Sequence, residues 1–166
     1  MNLSSTIKSI QDTMRKDDGV DGDAQRLGQL TWMLFLKVFD QREAEWEDDA
    51  KEQRKTYVSP LKEEFRWRNW AAYAAGRDGK KAPQTAPTEI IGFINNQLFP
   101  ALKELDADAS PTHRVIRDLF KEQNNYMKSG TQLLAVIEKL EESIHFDDFK
   151  DREQLGTVYE QLLNDL

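Results

Sequence analysis

A chain of 166 residues, 39% hydrophobic and 32% charged, is long enough to form one domain around a core of its own. Its net charge of −7 argues against a freestanding nucleic-acid binder, because phosphate neutralisation supplies most of such a protein's affinity. The absence of cysteine excludes disulfides, thiolate metal sites and a cysteine nucleophile, and it suits a reducing cytoplasm.

No apolar run approaches the ~18 residues that a membrane span needs. The opening MNLSSTIKSIQDTMRKDD lacks the apolar stretch of a secretory signal. The expectation is a cytoplasmic protein with no membrane partner.

The dominant period is helical. Leu3, Ile7, Ile10 and Met14 form one stripe on a first helix, which DDGVDGD interrupts. A second helix is expected from Asp23 or Ala24 to about Arg54. Its middle, LTWMLFLKVF, is apolar almost all round, as in a helix enclosed by others. Its later half, DQREAEWEDDAKEQRK, holds seven acids and four bases and is expected to face solvent or a partner.

From Tyr57 to Thr88 prolines and glycines punctuate the chain. Four of the ten residues from Phe65 to Ala74 are aromatic. The reading is a loop insertion over about 57–87, with a short helix near Asn69 to Ala75 and then a flexible basic tip, GRDGKKAPQTAP. No segment has a convincing strand period.

Helical spacing resumes with Ile91, Ile94, Leu98, Leu102 and Leu105, where Pro100 threatens a kink because it lacks an amide donor. Ser110-Pro111 opens the next helix as a cap followed by proline, and that helix carries Val115, Ile116, Leu119 and Phe120. Ser129 with Gln132 fits a capping box before Leu133, Ile137, Leu140 and Ile144. Asp151 can cap a last helix bearing Leu155, Val158, Tyr159, Leu162 and Leu166. That helix ends in mid-stripe, which reads as a piece of a longer polypeptide. The fold expected is all-α: an irregular helical bundle around a central apolar helix, forming a single domain over residues 1–166.

Two acidic clusters imitate metal sites. Asp17, Asp21 and Gly22 take positions of a calcium-loop pattern, but glycines stand where a further ligand and the bidentate glutamate belong. A solvated turn beside the next helix's N-terminus is the better reading. His145 with Asp147, Asp148 and Asp151 could hold a metal, yet a lone histidine in an acidic connection is usually solvated. No two of the eight glycines are spaced as a GxG pair, so there is neither a dinucleotide fingerprint nor a P-loop. No catalytic, cofactor-binding or metal-ligating residue is assigned, and the chain by itself reads as a non-enzyme.

The remaining candidate is basic. From Arg66 to Lys81 five bases face one acid, Asp78, with Trp67 and Trp70 interleaved. Bases can meet phosphates and aromatics can stack on nucleobases. The tryptophans read better as packing for the loop. Arg77, Lys80 and Lys81, on a glycine-flanked tip with little packing to do, are the candidate DNA or partner contacts.

Three segments, DGDAQRLGQLTWMLFLKVFDQRE, FRWRNWA and FDDFKDREQLGTVYEQLLNDL, resemble the N-terminal domain of the modification (methyltransferase, HsdM) subunit of type I restriction–modification enzymes. The likeness covers essentially the whole chain. It implies a non-catalytic helical domain that helps assemble a complex and clamp DNA. Its implied partners are a specificity subunit, a second modification subunit, a restriction subunit and DNA. It further implies an S-adenosylmethionine-dependent N6-adenine methyltransferase domain after Leu166. That domain's glycine-rich and Asn-Pro-Pro-aromatic motifs are not in this sequence, whose five prolines follow Ser, Ala, Ala, Phe and Ser. The alternative is an acidic all-α interaction adaptor with no DNA role.

Overall fold

The computed structural model describes the backbone of residues 3–143 and the side chains of residues 5–143. The last expected helix, the His145 cluster and the side chain of Leu3 lie outside the described residues.

The architecture is all-α with one small hairpin. In chain order the elements are α1 (Leu3–Arg15), α2 (Gly22–Glu52), α3 (Trp67–Trp70), β1 (Ala74–Ala75), β2 (Lys81–Ala82), α4 (Pro87–Phe93), α5 (Phe99–Lys103), α6 (Pro111–Lys121) and α7 (Gly130–Ser143). Among the described residues no helix is long and apolar enough to cross a membrane.

The 31-residue α2 is the axis of the bundle. No residue from Gln25 to Gln41 is exposed, as its all-round apolar sequence predicts. Leu30, Trp32, Met33, Leu34 and Leu36 are fully buried, and Val38 is partly so. Trp32 meets Phe99 edge-on at 4.9 Å, and Phe99 meets Phe120 edge-on at 5.3 Å, so aromatic contacts tie α2 to α5 and α6. Ile7, Ile10 and Met14 bury the stripe of α1, which packs along α7.

Pro100 leaves its mark upstream. The helical run from Pro87 to Lys103 continues through it, but residues Ile94–Leu98 relax into a π-turn. There the Phe99 amide donates to the Ile94 carbonyl, five residues back. The wider turn accommodates a residue that cannot donate and whose ring crowds the carbonyl four residues before it. In α6, Ile116 and Phe120 are buried but Val115 is 60% exposed, so the apolar stripe is narrower than its spacing suggested.

Both predicted caps form. The Ser110 hydroxyl accepts from the His113 amide at 3.1 Å, and the Ser129 hydroxyl accepts from the Gln132 amide at 3.2 Å. The capping box at Ser129 is closed by a different residue than expected: the Ser129 amide donates to Asp17 at 2.8 Å. Asp17 is only 2% exposed, so this residue of the turn is not solvated, while Asp18 and Asp21 are exposed as expected. The Asp17 carboxylate also accepts from the amides of Gly19 at 2.8 Å and Lys128 at 3.0 Å. The carboxylate that resembled a calcium ligand instead joins α1 to the N-terminus of α7.

Gly130, the first residue of α7, lies against the start of α4. A Cβ at this position would land on the Pro87 carbonyl, which is backbone and cannot swing away. Gly130→Ala is expected to cost about 1–3 kcal/mol, the usual range for overpacking. A urea melt unchanged within error would show that the α4–α7 contact is looser than described.

Candidate functional site

The segment after α2 turns back over that helix. The short helix lies earlier than predicted, at Trp67–Trp70, and residues 74–75 are strand rather than helix. The indoles explain the shift. Trp67 and Trp70, three apart on one turn, are 2% and 3% exposed and meet edge-on at 5.4 Å. Trp67 donates to Glu141 of α7 at 2.9 Å, and Trp70 donates to the Phe65 carbonyl at 3.1 Å. Both are packing residues, as the sequence suggested.

Arg66 is buried and Arg68 half-buried against α2, and neither belongs to the basic tip. Arg66 is 6% exposed and lies among Glu43, Glu47 and Glu63. Arg68 donates to Asp40 at 2.9 Å and to Glu47 at 3.1 Å. Tyr57 donates to the buried Glu43 at 2.7 Å. The Asp40–Glu43–Glu47 face of the polar half of α2 is therefore roofed by its own chain, while Arg42, Asp48, Asp49 and residues 51–55 are exposed, as expected of a half that faces solvent or a partner.

Electrostatics follow the geometry. Burial alone would raise the Glu47 carboxyl, but hydrogen bonds and charge from Arg66 and Arg68 outweigh it and hold the group below the usual carboxylate range. Burial would likewise lower Arg66, yet Glu47, Glu43 and Glu63 push it above its ordinary value. Burial raises the Tyr57 hydroxyl, and the bond to the Glu43 carboxylate raises it further. Each of these acids is engaged by an arginine, and Glu43 also by Tyr57. A sequence signal existed: Asp40, Glu43 and Glu47 recur at three and four residues, one face of a helix awaiting counter-charges.

That leaves Arg77, Lys80 and Lys81, and the structure makes their tip a hairpin. Ala74 pairs with Ala82 and Ala75 with Lys81, antiparallel. The Gly76 amide donates to the Lys80 carbonyl at 2.9 Å, and the Gly79 amide to the Gly76 carbonyl at 3.0 Å. Gly79 has φ +78°, the left-handed conformation that a three-residue hairpin loop requires at its last position. Asp78 accepts from the Lys80 amide at 3.0 Å and so shapes the loop. The base is anchored: Thr85 donates to the Trp70 carbonyl at 2.9 Å, and Tyr73 to the Leu134 carbonyl at 3.3 Å. Arg77, Lys80 and Lys81 are all exposed, and among the described residues none is in an ion pair.

Residues 3–140 match the family model of the HsdM N-terminal domain. The chain belongs to the HsdM N-terminal domain family. This HsdM N-terminal domain is 46% identical over 168 residues to the type I restriction enzyme EcoEI methylase subunit of Escherichia coli, covering 100% of the chain and 32% of that protein. It superimposes with a TM-score of 0.75 on a modification subunit assigned to a type I restriction enzyme of Vibrio vulnificus YJ016. The identity there is 30%, over 98% of the chain and 34% of that subunit. A chain of a type I restriction–modification system, solved to address complex assembly and conformational transition, also gives 0.75 at 32% identity, covering 98% and 30%. The HsdM N-terminal domain thus spans about a third of the length of these relatives.

A methylase family implies S-adenosylmethionine, and the described residues of the HsdM N-terminal domain do not fit it. The two glycines that leave no room for a Cβ, Gly19 and Gly130, are approached by the domain's own Tyr126 and Pro87 carbonyls. These are packing contacts between segments and offer no open cradle for a cofactor. Among the described residues no group of three or more His, Asp or Glu is arranged to hold a metal ion.

Proposed function

We propose that residues 1–166 are the non-catalytic N-terminal domain of a type I DNA N6-adenine methyltransferase subunit, which helps assemble the enzyme and closes over its DNA. The catalytic domain follows in the parent protein and there uses S-adenosylmethionine. The partners are a specificity subunit, a second modification subunit and a restriction subunit. Likeness to methylase and modification subunits along essentially the whole chain supports this reading. The observation that carries the DNA role is the hairpin, whose three exposed cations stand outside an otherwise acidic body.

The physics is compatible. Methylating a base inside a duplex requires flipping it out while the duplex is held. A clamp needs a rigid bundle, a protein-contacting face and a few phosphate contacts, so its overall charge need not be positive. Changing Arg77, Lys80 and Lys81 together to Ala in the assembled enzyme should weaken binding equally on cognate and non-cognate DNA. The salt slope should fall by up to about 0.9 for each phosphate that is no longer neutralised. Stability should change by less than ~0.5 kcal/mol, since these side chains are exposed. Unchanged affinity and slope would remove the DNA role from the hairpin, and subunit assembly measured without DNA would then test it as a partner contact.

A further inference from the structure

The three cations of the hairpin differ in setting: Lys81 begins strand β2, while Arg77 and Lys80 belong to the loop before it. Lys81 stands in the wall of a cleft of about 320 Å³ between the hairpin and α7, together with Tyr73, Glu138, Glu141 and Glu142. Neither Arg77 nor Lys80 lines it.

The opposite wall is an acidic helix face. Leu134, Glu138, Glu141 and Glu142 recur at helical spacing, and like charges three or four apart repel. Glu141 is already countered by Lys37 at 2.6 Å and by the Trp67 indole. Glu138 lies on the exposed part of this face. The field of the cluster reaches the base of the hairpin: burial raises the Tyr73 hydroxyl, and the charges of Glu138, Glu142 and Glu141 raise it further. Lys81 is the cation in that cleft wall.

We propose that Lys81 is a positioning residue, whose ammonium faces the acidic side of α7 across the cleft and holds the hairpin on the bundle with Arg77 and Lys80 turned outward. Tyr73, bonded to the Leu134 carbonyl, is the second point of attachment. The charge acts across solvent and not through a direct ion pair, so it weakens as salt rises. The inference rests on the DNA reading only for the purpose of the outward pair. The attachment itself belongs to this chain alone.

Hydrogen exchange at the Gly76 amide, which closes the hairpin onto Lys80, reads the attachment without DNA. Lys81→Gln should speed that exchange about two- to fivefold, the range of an exposed charge pair, and leave the amides of α2 unchanged. Lys81→Glu combined with Glu138→Lys should restore the original rate. Exchange unaffected by either Lys81 variant would overturn the proposal. In the assembled enzyme, Arg77→Ala with Lys80→Ala should lower the salt slope of DNA binding, and Lys81→Gln alone should lower it less. A slope lowered by Lys81→Gln as much as by Arg77→Ala, with exchange unchanged, would make Lys81 a direct phosphate contact and sink the positioning role. Faster exchange in Lys81→Gln together with an unchanged slope in the Arg77/Lys80 variant would keep the attachment and reject the DNA reading.

Discussion

Asp17→Ala will lower the stability of this domain by about 3 kcal/mol or more. Each hydrogen bond to a charged group is worth about 1.5–3 kcal/mol, and a buried donor left without a partner costs about 1–3 kcal/mol. Asp17 takes the amides of Gly19, Lys128 and Ser129, and the change would orphan all three. It would also remove a negative charge from the N-terminus of α7, where the helix dipole favours one. Asp17→Asn separates these effects. One oxygen still accepts from Gly19 and Lys128, while an amide NH2 would oppose the Ser129 donor, so a loss of about half is expected. Urea melts of the two variants provide the measurement. Equal losses would mean that the charge and the Ser129 acceptor carry the whole effect and that the retained oxygen contributes nothing, and a loss below ~0.5 kcal/mol for the alanine would mean that the junction is not formed in solution.

Leu34→Ala should cost about 2–5 kcal/mol, the range for a fully buried leucine whose cavity collapses only in part. Leu34 is 0% exposed on the enclosed stretch of α2. Val115→Ala is the matched control, because Val115 is 60% exposed and should shift the melt by less than ~0.5 kcal/mol. Similar losses in the two variants would show that the centre of the core is misplaced.

Much of the fold is determined by patterns a few residues long. The all-round apolar stretch of α2 requires neighbours on every side, and the structure provides them in α3, α5 and α6. Ser110 and Ser129 cap because a hydroxyl can reach an amide three residues on, a distance set by the helix itself. Pro100 disturbs its helix for an equally local reason, the missing amide. The family likeness is of the same kind, carried by three short segments of side-chain order.

What the tertiary structure decided depends on partners far apart in the chain. Asp17 reads as a solvated turn residue because its ligands, the amides of Lys128 and Ser129, come 111 and 112 residues later. Backbone amides leave no trace in the pattern of side chains. Arg66 and Arg68 read as part of a basic patch, and only the return of the chain over α2 sets them against Asp40, Glu43 and Glu47. A net charge summed along a segment cannot tell a cation that reaches water from one that neutralises an acid beneath it. The hairpin makes the same point at its smallest scale. Arg77, Lys80 and Lys81 are adjacent in composition, but of the three only Lys81 lines the cleft against the acidic side of α7. Residue type determined which side chains carry a cation; the packing of distant segments decided which of them reach water and which neutralise an acid.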